Sequence, residues 1–451
     1  MYTNSKLRRE PGNILLLIVM TVFAVLAFTV QASAQDNQIS NQVTEPTYKV
    51  LHTFTGFPGD GAMPLFNPLL DVNGTLYGTT FYGGPYGGYS GSGGSGTVFK
   101  LGTNGKETIL YSFTGDADGA EPDSMLVPDE EGNLYGTTQD GGLSCDAAAL
   151  YGLQGCGVVF KLDRRGNETV LHNFSGGTDG GMPVSVTMGP DGNLYGVTDV
   201  GGDLNCSGGW WEGYGCGVLF KLDRSGNETV LHSFGGVPDG AVPFPFLTID
   251  QSGNIYGAAQ YGGSLPNPAP CFGNGCGTLF RLDPKGNMRT LYTFTGQADG
   301  FLPNGPLLLD NQGNLYGNTE FGGNLTCTAP YGCGVVFKLN RAGKETVLHT
   351  FTGGADGAIP YSGMTWGMDG NLYGTTYYGG TANFGTVFEV SVQGREKVLY
   401  NFTDMADGGN PGAVLIMDPQ GNLYGTTQTG GDLLCSSPAG TGCGVVFKLK
   451  P

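Results

Sequence analysis

The sequence has few charged residues, and basic residues are fewer than acidic ones. Only 13% of its 451 residues are charged, and 21 Lys and Arg stand against 39 Asp and Glu, which gives a formal net charge of −18. Binding to nucleic acid or to an anionic membrane surface requires a basic face, so the composition argues against both kinds of partner. No stretch of the sequence forms a catalytic motif, and no catalytic residue is predicted.

Helical periodicity is absent beyond the N-terminal region, and the one long apolar run is Ile14–Val30. Basic residues precede this run and the small residues from Ala32 to Ala34 follow it, which is the pattern of a cleaved signal peptide. We therefore predict a signal peptide over residues 1–34, a polar linker over residues 35–47, and a secreted or periplasmic protein with no membrane segment after cleavage. The alternative is an uncleaved anchor helix, because an apolar run of this length just spans a thin bilayer.

Glycine is abundant, with 83 residues, and its positions are periodic. The heptapeptide Gly132–Thr138 reads Gly-Asn-Leu-Tyr-Gly-Thr-Thr, and close copies recur with their tyrosines 51 to 61 residues apart. A fixed period of this size indicates a repeat architecture. The seven tyrosines are Tyr77, Tyr135, Tyr195, Tyr256, Tyr316, Tyr373 and Tyr424.

Each repeat contains four apolar runs of strand length, separated by Gly-rich turns. In the second repeat these runs lie around Ser124–Val127, Asn133–Thr138, Gly157–Leu162 and Glu168–Phe174. Both faces of the fourth run are largely apolar, so the sheet must be covered on both sides. Radially stacked propeller blades provide that cover.

The two ends of the repeat region complement each other. Its first element, Val50–Phe54, has the sequence of a fourth strand, whereas its last element, Val446–Leu449, has that of a third strand. We therefore predict an all-β fold over residues 48–451: a seven-bladed β-propeller of four-stranded antiparallel blades, closed by the N-terminal strand. The alternative is an open array, which would leave unpaired strand edges at both ends.

Together these motifs resemble the GloVer (Gloeo/Verruco) tandem repeat of exported bacterial proteins. The resemblance rests on Gly-Asn-Leu-Tyr-Gly-Thr-Thr, Gly-Val-Val-Phe-Lys-Leu and Glu-Thr-Val-Leu-His, and it covers Tyr48 to Pro451. It implies export and propeller-like repeats, but neither an activity nor catalytic residues. Many members carry a C-terminal sorting anchor, whereas Val446–Leu449 here is a repeat strand.

The ten cysteines occur in pairs, and each pair lies between the second and third strands of one repeat. Two repeats have no cysteine, so each repeat carries either two cysteines or none. Sequence alone does not fix the pairing, but this pattern favours five local disulfides, which export permits. Zinc is the alternative, although no histidine lies in these loops. The pairs are Cys145 and Cys156, Cys206 and Cys216, Cys271 and Cys276, Cys327 and Cys333, and Cys435 and Cys443.

The motif Asp-Gly-x-x-Pro occurs in every repeat, between the fourth strand of one blade and the first strand of the next. We interpret it as a turn in which Asp caps backbone amides and Pro sets the direction of the chain. The alternative is a ring of carboxylates at one mouth of the channel that binds a cation such as Ca²⁺. The seven acids are Asp60, Asp118, Asp179, Asp239, Asp299, Asp356 and Asp407.

The loops between second and third strands carry aromatic residues that do not follow the repeat. The pair Trp210-Trp211 is either a hydrophobic lid on a long loop or a stacking platform for a sugar or peptide. Because strand direction alternates, these loops emerge on the same face as the cysteines and the Asp turns. Variable loops on a uniform scaffold are a usual place for binding. We predict that Trp210, Trp211, Tyr82, Tyr86 and Tyr378 contact a ligand.

The function predicted from the sequence is that of an exported, monomeric, non-catalytic binding or scaffold propeller without a cofactor. Its expected ligand is an extracellular carbohydrate or protein. One alternative is a secreted lyase or hydrolase that acts on polysaccharide or peptide, because propellers carry many chemistries. Another is a propeller that holds a redox cofactor. An enzyme should place two or three non-repeating polar residues in one pocket, whereas a binding module should present a broad aromatic or acidic surface.

Overall fold

A computed structural model describes the propeller region of the chain with six internal gaps. The predicted signal peptide and almost all of the predicted linker lie outside the described residues. Pro46–Pro451 form one compact unit. Within the described part of the chain, no helix is long and apolar enough to cross a membrane. The described residues are 45–65, 67–87, 93–145, 154–206, 213–263, 271–437 and 440–451.

Seven antiparallel sheets follow one another along the chain as blades 1 to 7, and each pairs its strands in the order first, second, third, fourth. The predicted seven-bladed β-propeller is confirmed. The first strand of blade 4 is split in two, and two short ribbons pair Gly61–Ala62 with Tyr82–Gly83 and Ser436–Ser437 with Gly440–Thr441. The blades comprise Leu69–Leu70, Leu76–Thr80, Thr97–Leu101 and Glu107–Ser112 (blade 1); Val127–Pro128, Leu134–Thr138, Val158–Leu162 and Glu168–Asn173 (blade 2); Gly181–Met188, Leu194–Val200, Val218–Leu222 and Glu228–Ser233 (blade 3); Ala241–Pro243 with Thr248–Ile249, Ile255–Tyr261, Thr278–Leu282 and Met288–Thr293 (blade 4); Phe301–Leu309, Leu315–Phe321, Val335–Leu339 and Glu345–Thr350 (blade 5); Met364–Trp366, Leu372–Thr376, Thr386–Val390 and Glu396–Asn401 (blade 6); and Ile416–Met417, Leu423–Thr426, Val445–Lys450 and Thr47–Thr53 (blade 7).

The N-terminal strand closes the ring, as the chain ends predict. Thr47–Thr53 pairs antiparallel with Val445–Lys450 and so supplies the fourth strand of blade 7. At the start of this strand the Tyr48 ring stacks on Tyr400 of blade 6, with ring centroids 4.0 Å apart. The Tyr48 hydroxyl also donates a hydrogen bond of 2.6 Å to the carbonyl oxygen of Asp407. Blade 7 is therefore tied both to the C-terminal strand and to its neighbour.

The repeated motifs are explained by how neighbouring blades pack at each interface, which we call a seam. In the second strand Gly136 lies opposite Phe160 of the third strand, and a Cβ on this glycine would sit 2.6 Å from the Phe160 ring. Phe160 in turn packs edge-on against Phe113 of the preceding blade, with centroids 5.1 Å apart. Such a pair fills all seven seams. The pairs are Phe54–Phe99, Phe113–Phe160, Phe174–Phe220, Phe234–Phe280, Phe294–Phe337, Phe351–Phe388 and Phe402–Phe447.

The cysteines form five disulfides, each within one loop between second and third strands, which confirms the predicted local pairing. No described cysteine is free. The Cys145–Cys156 disulfide lies against the turn that follows the fourth strand, since a Cβ on Gly176 would come within 2.8 Å of the Cys156 sulfur. The loop is thereby fastened to the connection between blades. The disulfides are Cys145–Cys156, Cys206–Cys216, Cys271–Cys276, Cys327–Cys333 and Cys435–Cys443.

Candidate functional site

Two positions in every blade carry side chains that differ between blades, although the sequence around them repeats. The post-proline position directly follows the proline of Asp-Gly-x-x-Pro. The strand-end position is the fourth residue after the motif tyrosine. The post-proline residues are Leu65, Asp123, Val184, Phe244, Asn304, Tyr361 and Gly412, and the strand-end residues are Phe81, Gln139, Asp199, Gln260, Glu320, Tyr377 and Gln428.

A residue with left-handed backbone before each proline holds these two positions together. All seven such residues have φ between 51° and 56°, although none is glycine and Val242 and Ile359 are β-branched. This conformation costs about 1–3 kcal/mol and persists where the surroundings enforce it. Ile359 donates its N–H to the carbonyl of Cys333 in the preceding blade at 2.9 Å, and its own carbonyl accepts the N–H of Tyr377 at 2.8 Å. Both variable side chains therefore leave from fixed backbone.

Variable side chains from six blades line one cavity of about 230 Å³, which we call the axial cavity. Because six of the seven blades contribute, the cavity lies on the propeller axis, at the face where the second strands end. Its polar wall consists of the amides of Gln139, Gln260 and Gln428 and the carboxyl groups of Asp123 and Asp199. Asp123 occupies the post-proline position of blade 2, and the other four residues occupy the strand-end position of blades 2, 3, 4 and 7. The set therefore does not recur in every blade.

A larger cleft of about 1300 Å³ lies between blades 7 and 1 on the opposite face. It is bordered by hairpin turns of the type that recurs in each blade, and their polar groups already serve the turn. The Asp71 carboxylate, for example, accepts the N–H groups of Asn73 and Thr75, each at 2.8 Å. The axial cavity, whose polar groups differ between blades, is therefore the better candidate for a specific ligand.

The two carboxyl groups of the axial cavity have strongly perturbed acidity. Burial, and then the carboxylates of Asp199 and Glu121, hold the pKa of Asp123 well above its usual range. Burial also raises the pKa of Asp199 to about 7. The Oδ1 atom of Asp123 is shielded from solvent and has no hydrogen-bond partner among the described residues. A bound hydrogen-bond donor would satisfy this atom.

Aromatic rings form the apolar part of the wall. Phe244 and Phe246 are nearly buried and lie 5.9 Å apart. Tyr361 also lines the cavity, and 40% of its surface is exposed there. Burial, and then neighbouring carboxylates, raise the pKa of Tyr361, so its hydroxyl stays protonated. Behind it Tyr377 lies 5.6 Å away and donates a hydrogen bond of 3.0 Å to the side-chain oxygen of Gln428.

Blade 5 is different, because its two variable residues bind each other. The amide of Asn304 donates to the Glu320 carboxylate at 2.7 Å, and both side chains are buried. Burial raises the pKa of Glu320 to about 7. Neither residue lines the axial cavity.

Of the aromatic residues predicted to contact a ligand, Tyr82, Tyr86 and Tyr378 do not line the axial cavity. Trp210 and Trp211 lie outside the described residues. Tyr86 and Tyr378 are 47% and 43% exposed, on the same face as the cavity. Tyr82 is half-buried, and burial followed by nearby carboxylates raises its pKa to about 12. The three tyrosines therefore lie outside the cavity, and their contact with a ligand stays a prediction.

The seven aspartates of Asp-Gly-x-x-Pro cap the turns that follow the fourth strands. In blade 1 the Asp118 carboxylate accepts the N–H of Thr114 and the hydroxyl of Tyr111, each at 2.9 Å. In four blades a histidine replaces this tyrosine, as where His232 lies 2.7 Å from Asp239. The aspartates thus lie beside the outermost strands, and none lines the axial cavity.

One of these aspartates belongs to a group with metal-ligating atoms. His52, Asp60 and Glu107 place one ligand atom each within 4.8 Å of the others, and among the described residues this is the one such group. Burial, and then the Asp60 carboxylate, raise the pKa of Glu107 to about 7. Calcium binding by the aspartates stays a prediction.

The repeat itself identifies the family. One repeat model matches the chain in three overlapping stretches, at residues 27–264, 91–329 and 323–451, and so covers almost the whole propeller. This chain belongs to the Gloeobacter/Verrucomicrobia repeat family. The resemblance stated from the motifs is thereby confirmed. No curated protein matches the sequence.

Several solved structures are similar to this Gloeobacter/Verrucomicrobia repeat protein at low sequence identity. The extracellular domain of a proposed hybrid two component system from B. thetaiotaomicron is 11% identical, with 88% of this chain and 39% of that chain covered and a TM-score of 0.50. A gluconolactonase from Xanthomonas campestris is 14% identical, with 65% and 78% covered and a TM-score of 0.36. The PQQ-bound aldose sugar dehydrogenase from Streptomyces coelicolor is 12% identical, with 90% and 99% covered and a TM-score of 0.41. At these identities the likeness shows the propeller fold alone.

The post-proline and strand-end residues were not predicted from the sequence as a site. A signal was nevertheless present, because both positions vary in chemistry, whereas the proline before the first and the glycine two residues after the second recur in all seven repeats. In the Asp-Gly-x-x-Pro motif of this Gloeobacter/Verrucomicrobia repeat, the aspartate was the predicted candidate. The residue after the proline is the one that faces the axis. Asp123 and Tyr361 are such residues.

Proposed function

We propose that this Gloeobacter/Verrucomicrobia repeat protein is an exported, monomeric, non-catalytic binding module that holds one sugar unit of an extracellular carbohydrate in the axial cavity. The observation that carries the proposal is the convergence of non-repeating amide, carboxyl and aromatic side chains on a single cavity. Scaffold residues repeat because every blade needs them. Side chains that break the repeat and still meet at one place are best explained by a ligand.

The chemistry of the wall fits a sugar. Each glutamine amide provides hydrogen-bond donors and an acceptor. The hydroxyl groups of a sugar ring also donate and accept hydrogen bonds. The rings of Phe244, Phe246 and Tyr361 offer apolar faces on which the C–H side of a sugar packs. The volume of about 230 Å³ lies just below the ~300 Å³ at which pockets for drug-sized ligands begin, so it favours one sugar unit over a longer segment.

Export is supported by the five disulfides, since such bonds persist in oxidising compartments and are rare in the cytosol. The predicted signal peptide points the same way.

A second candidate function is a hydrolase or lyase acting on polysaccharide. It is favoured by the carboxyl groups of Asp123 and Asp199, which share one cavity and have raised pKa values. Groups that titrate near neutral pH are suited to general acid and base catalysis.

The proposal is tested by applying the secreted, oxidised protein to an array of glycans and cell-wall polymers, read both for capture and for released products. Tyr361→Ala and Gln260→Ala should abolish capture without a change in melting temperature. The matched controls are Tyr86→Ala, on the same face outside the cavity, and Gln420→Ala, on the opposite face; both should capture like the wild type.

Absence of any captured glycan would overturn the sugar-binding proposal. Capture that survives both cavity variants but is lost in a Trp210→Ala, Trp211→Ala double variant would move the site to the loops. Released products that disappear in Asp123→Asn would replace the binding module by the enzyme.

A further inference from the structure

We infer that the axial cavity is selective for a ligand that carries a protonated amine, with Asp123 and Asp199 as its counter-ions. The inference rests on the proposed function and names the class of sugar: one with a positively charged amino group. The wall contains two carboxyl groups and three amides, and no Lys, Arg or His is among the described residues that line it.

Geometry provides the first support. The Oδ1 atom of Asp123 is shielded from solvent without a partner among the described residues, and Asp123 is one of the residues that line the cavity. An ammonium group has three donors and no acceptor. It therefore suits a wall in which two carboxyl groups require donors and three amide oxygens are further acceptors.

The titratable groups that face Asp123 are two carboxyl groups and two tyrosines. Asp199 faces it from blade 3, Glu121 precedes it in its own connection, and Tyr82 and Tyr361 approach from blades 1 and 6. Burial opposes ionisation of both carboxyl groups, and for Asp123 the carboxylates of Asp199 and Glu121 add to this effect. A cation between Asp123 and Asp199 would reverse both effects, because opposite charge favours the ionised form.

The aromatic residues favour a cation as well. Phe244, Phe246 and Tyr361 line the same cavity, and the face of an aromatic ring attracts positive charge. An organic cation fits better than a bare metal ion. Among the described residues the acids of this cavity do not bring three ligand atoms within 4.8 Å of one another, whereas Ca²⁺ gathers six to eight oxygens closely around itself.

The test compares methyl glucoside with the same sugar bearing an aminomethyl group in place of its hydroxymethyl group, by titration calorimetry on the full-length oxidised protein. Ethanolamine and Ca²⁺ are separate arms. At pH 8 the amino sugar should bind at least about tenfold more tightly than the neutral sugar. A factor of about ten in affinity is what results if amine binding lowers the pKa of Asp199 by about one. The preference should shrink at pH 5.5, where Asp199 is protonated.

Asp123→Asn and Asp199→Asn should each abolish the preference, whereas Asp116→Asn, which removes an exposed acid outside the cavity, should preserve it. Equal binding of both sugars by the wild type, lost in Tyr361→Ala, would overturn the amine selectivity and leave the sugar site standing. Binding of ethanolamine alone would support the counter-ions but overturn the sugar proposal. Tight binding of Ca²⁺ that is lost in Asp199→Asn, without amine binding, would overturn the inference.

Discussion

Replacement of one phenylalanine of a seam pair tests whether the propeller unfolds as a closed ring. Phe54 directly follows the N-terminal strand, is fully buried and packs edge-on against Phe99 of blade 1, with centroids 5.3 Å apart. Replacement of a buried Phe by Ala costs about 3–5 kcal/mol. Phe234 occupies the same place in the seam between blades 3 and 4, where its ring lies 5.2 Å from Phe280. Because a closed ring has no end, Phe54→Ala and Phe234→Ala should cost the same.

The expected shift in melting temperature follows from the size of the cooperative unit. Unfolding entropy is about 2.1 cal/mol/K per residue, so a propeller of about 405 residues gains roughly 0.85 kcal/mol/K on unfolding. A loss of about 3–5 kcal/mol therefore lowers the melting temperature by about 4–6 °C. Scanning calorimetry of the oxidised protein measures this shift.

Phe57→Ala is the control, because Phe57 is 47% exposed and takes no part in a seam pair. Its cost should be within about 0.5 kcal/mol. If Phe54→Ala melts like the wild type while Phe234→Ala shows the full shift, the N-terminal strand frays independently and the ring is not one cooperative unit.

Three further predictions concern backbone, pH and disulfides. Gly334→Ala should destabilise more than Gly286→Ala, although both glycines have φ above 80°, because a Cβ at Gly334 would meet Pro360 Cδ at 2.7 Å while Gly286 has open space; equal melting temperatures would refute this. Burial, and then the carboxylate of Asp118, raise the pKa of Glu168 to about 7, so the folded state binds its proton more tightly than the unfolded state does and loses stability as the pH rises through 7. Glu168→Gln should therefore melt above the wild type at pH 8 and level with it at pH 5, and a difference that does not depend on pH would contradict the assignment. Peptide maps of the oxidised protein should contain only bridges within one loop, and a bridge between repeats would disprove the pairing.

The fold was predictable because its determinants are local and recur in every repeat. Gly136 and Phe160 belong to motifs that recur in each blade, and the ends of the repeat region state how the ring closes. The disulfides were predictable for the same reason, since Cys145 and Cys156 lie in a single loop and are absent or present together. Seven copies of one pattern leave little room for a different assignment.

The axial cavity was not predictable in the same way. Asp123 and Asp199 lie in different blades, and only the curvature of the ring brings them to one cavity. The loops between second and third strands vary in length, so the sequence predicted a site there, with Tyr86 and Tyr378 among its residues. Both tyrosines lie on the correct face but outside the cavity. The perturbed acidity of Asp123 depends on burial by other blades, which no local pattern reports.

The division between invariant and variable positions separates folding from specificity. The proline and the left-handed residue before it set the path of the chain, whereas the next side chain, such as Asp123 or Tyr361, borders the axial cavity. Such residues can change without loss of the scaffold, so the same ring can acquire a new ligand by substitution at two places per blade. Proteins with this repeat should therefore be grouped by the chemistry of their post-proline and strand-end residues rather than by overall identity. Two distant sequences that agree at these positions should share a ligand, and two close ones that differ there should not.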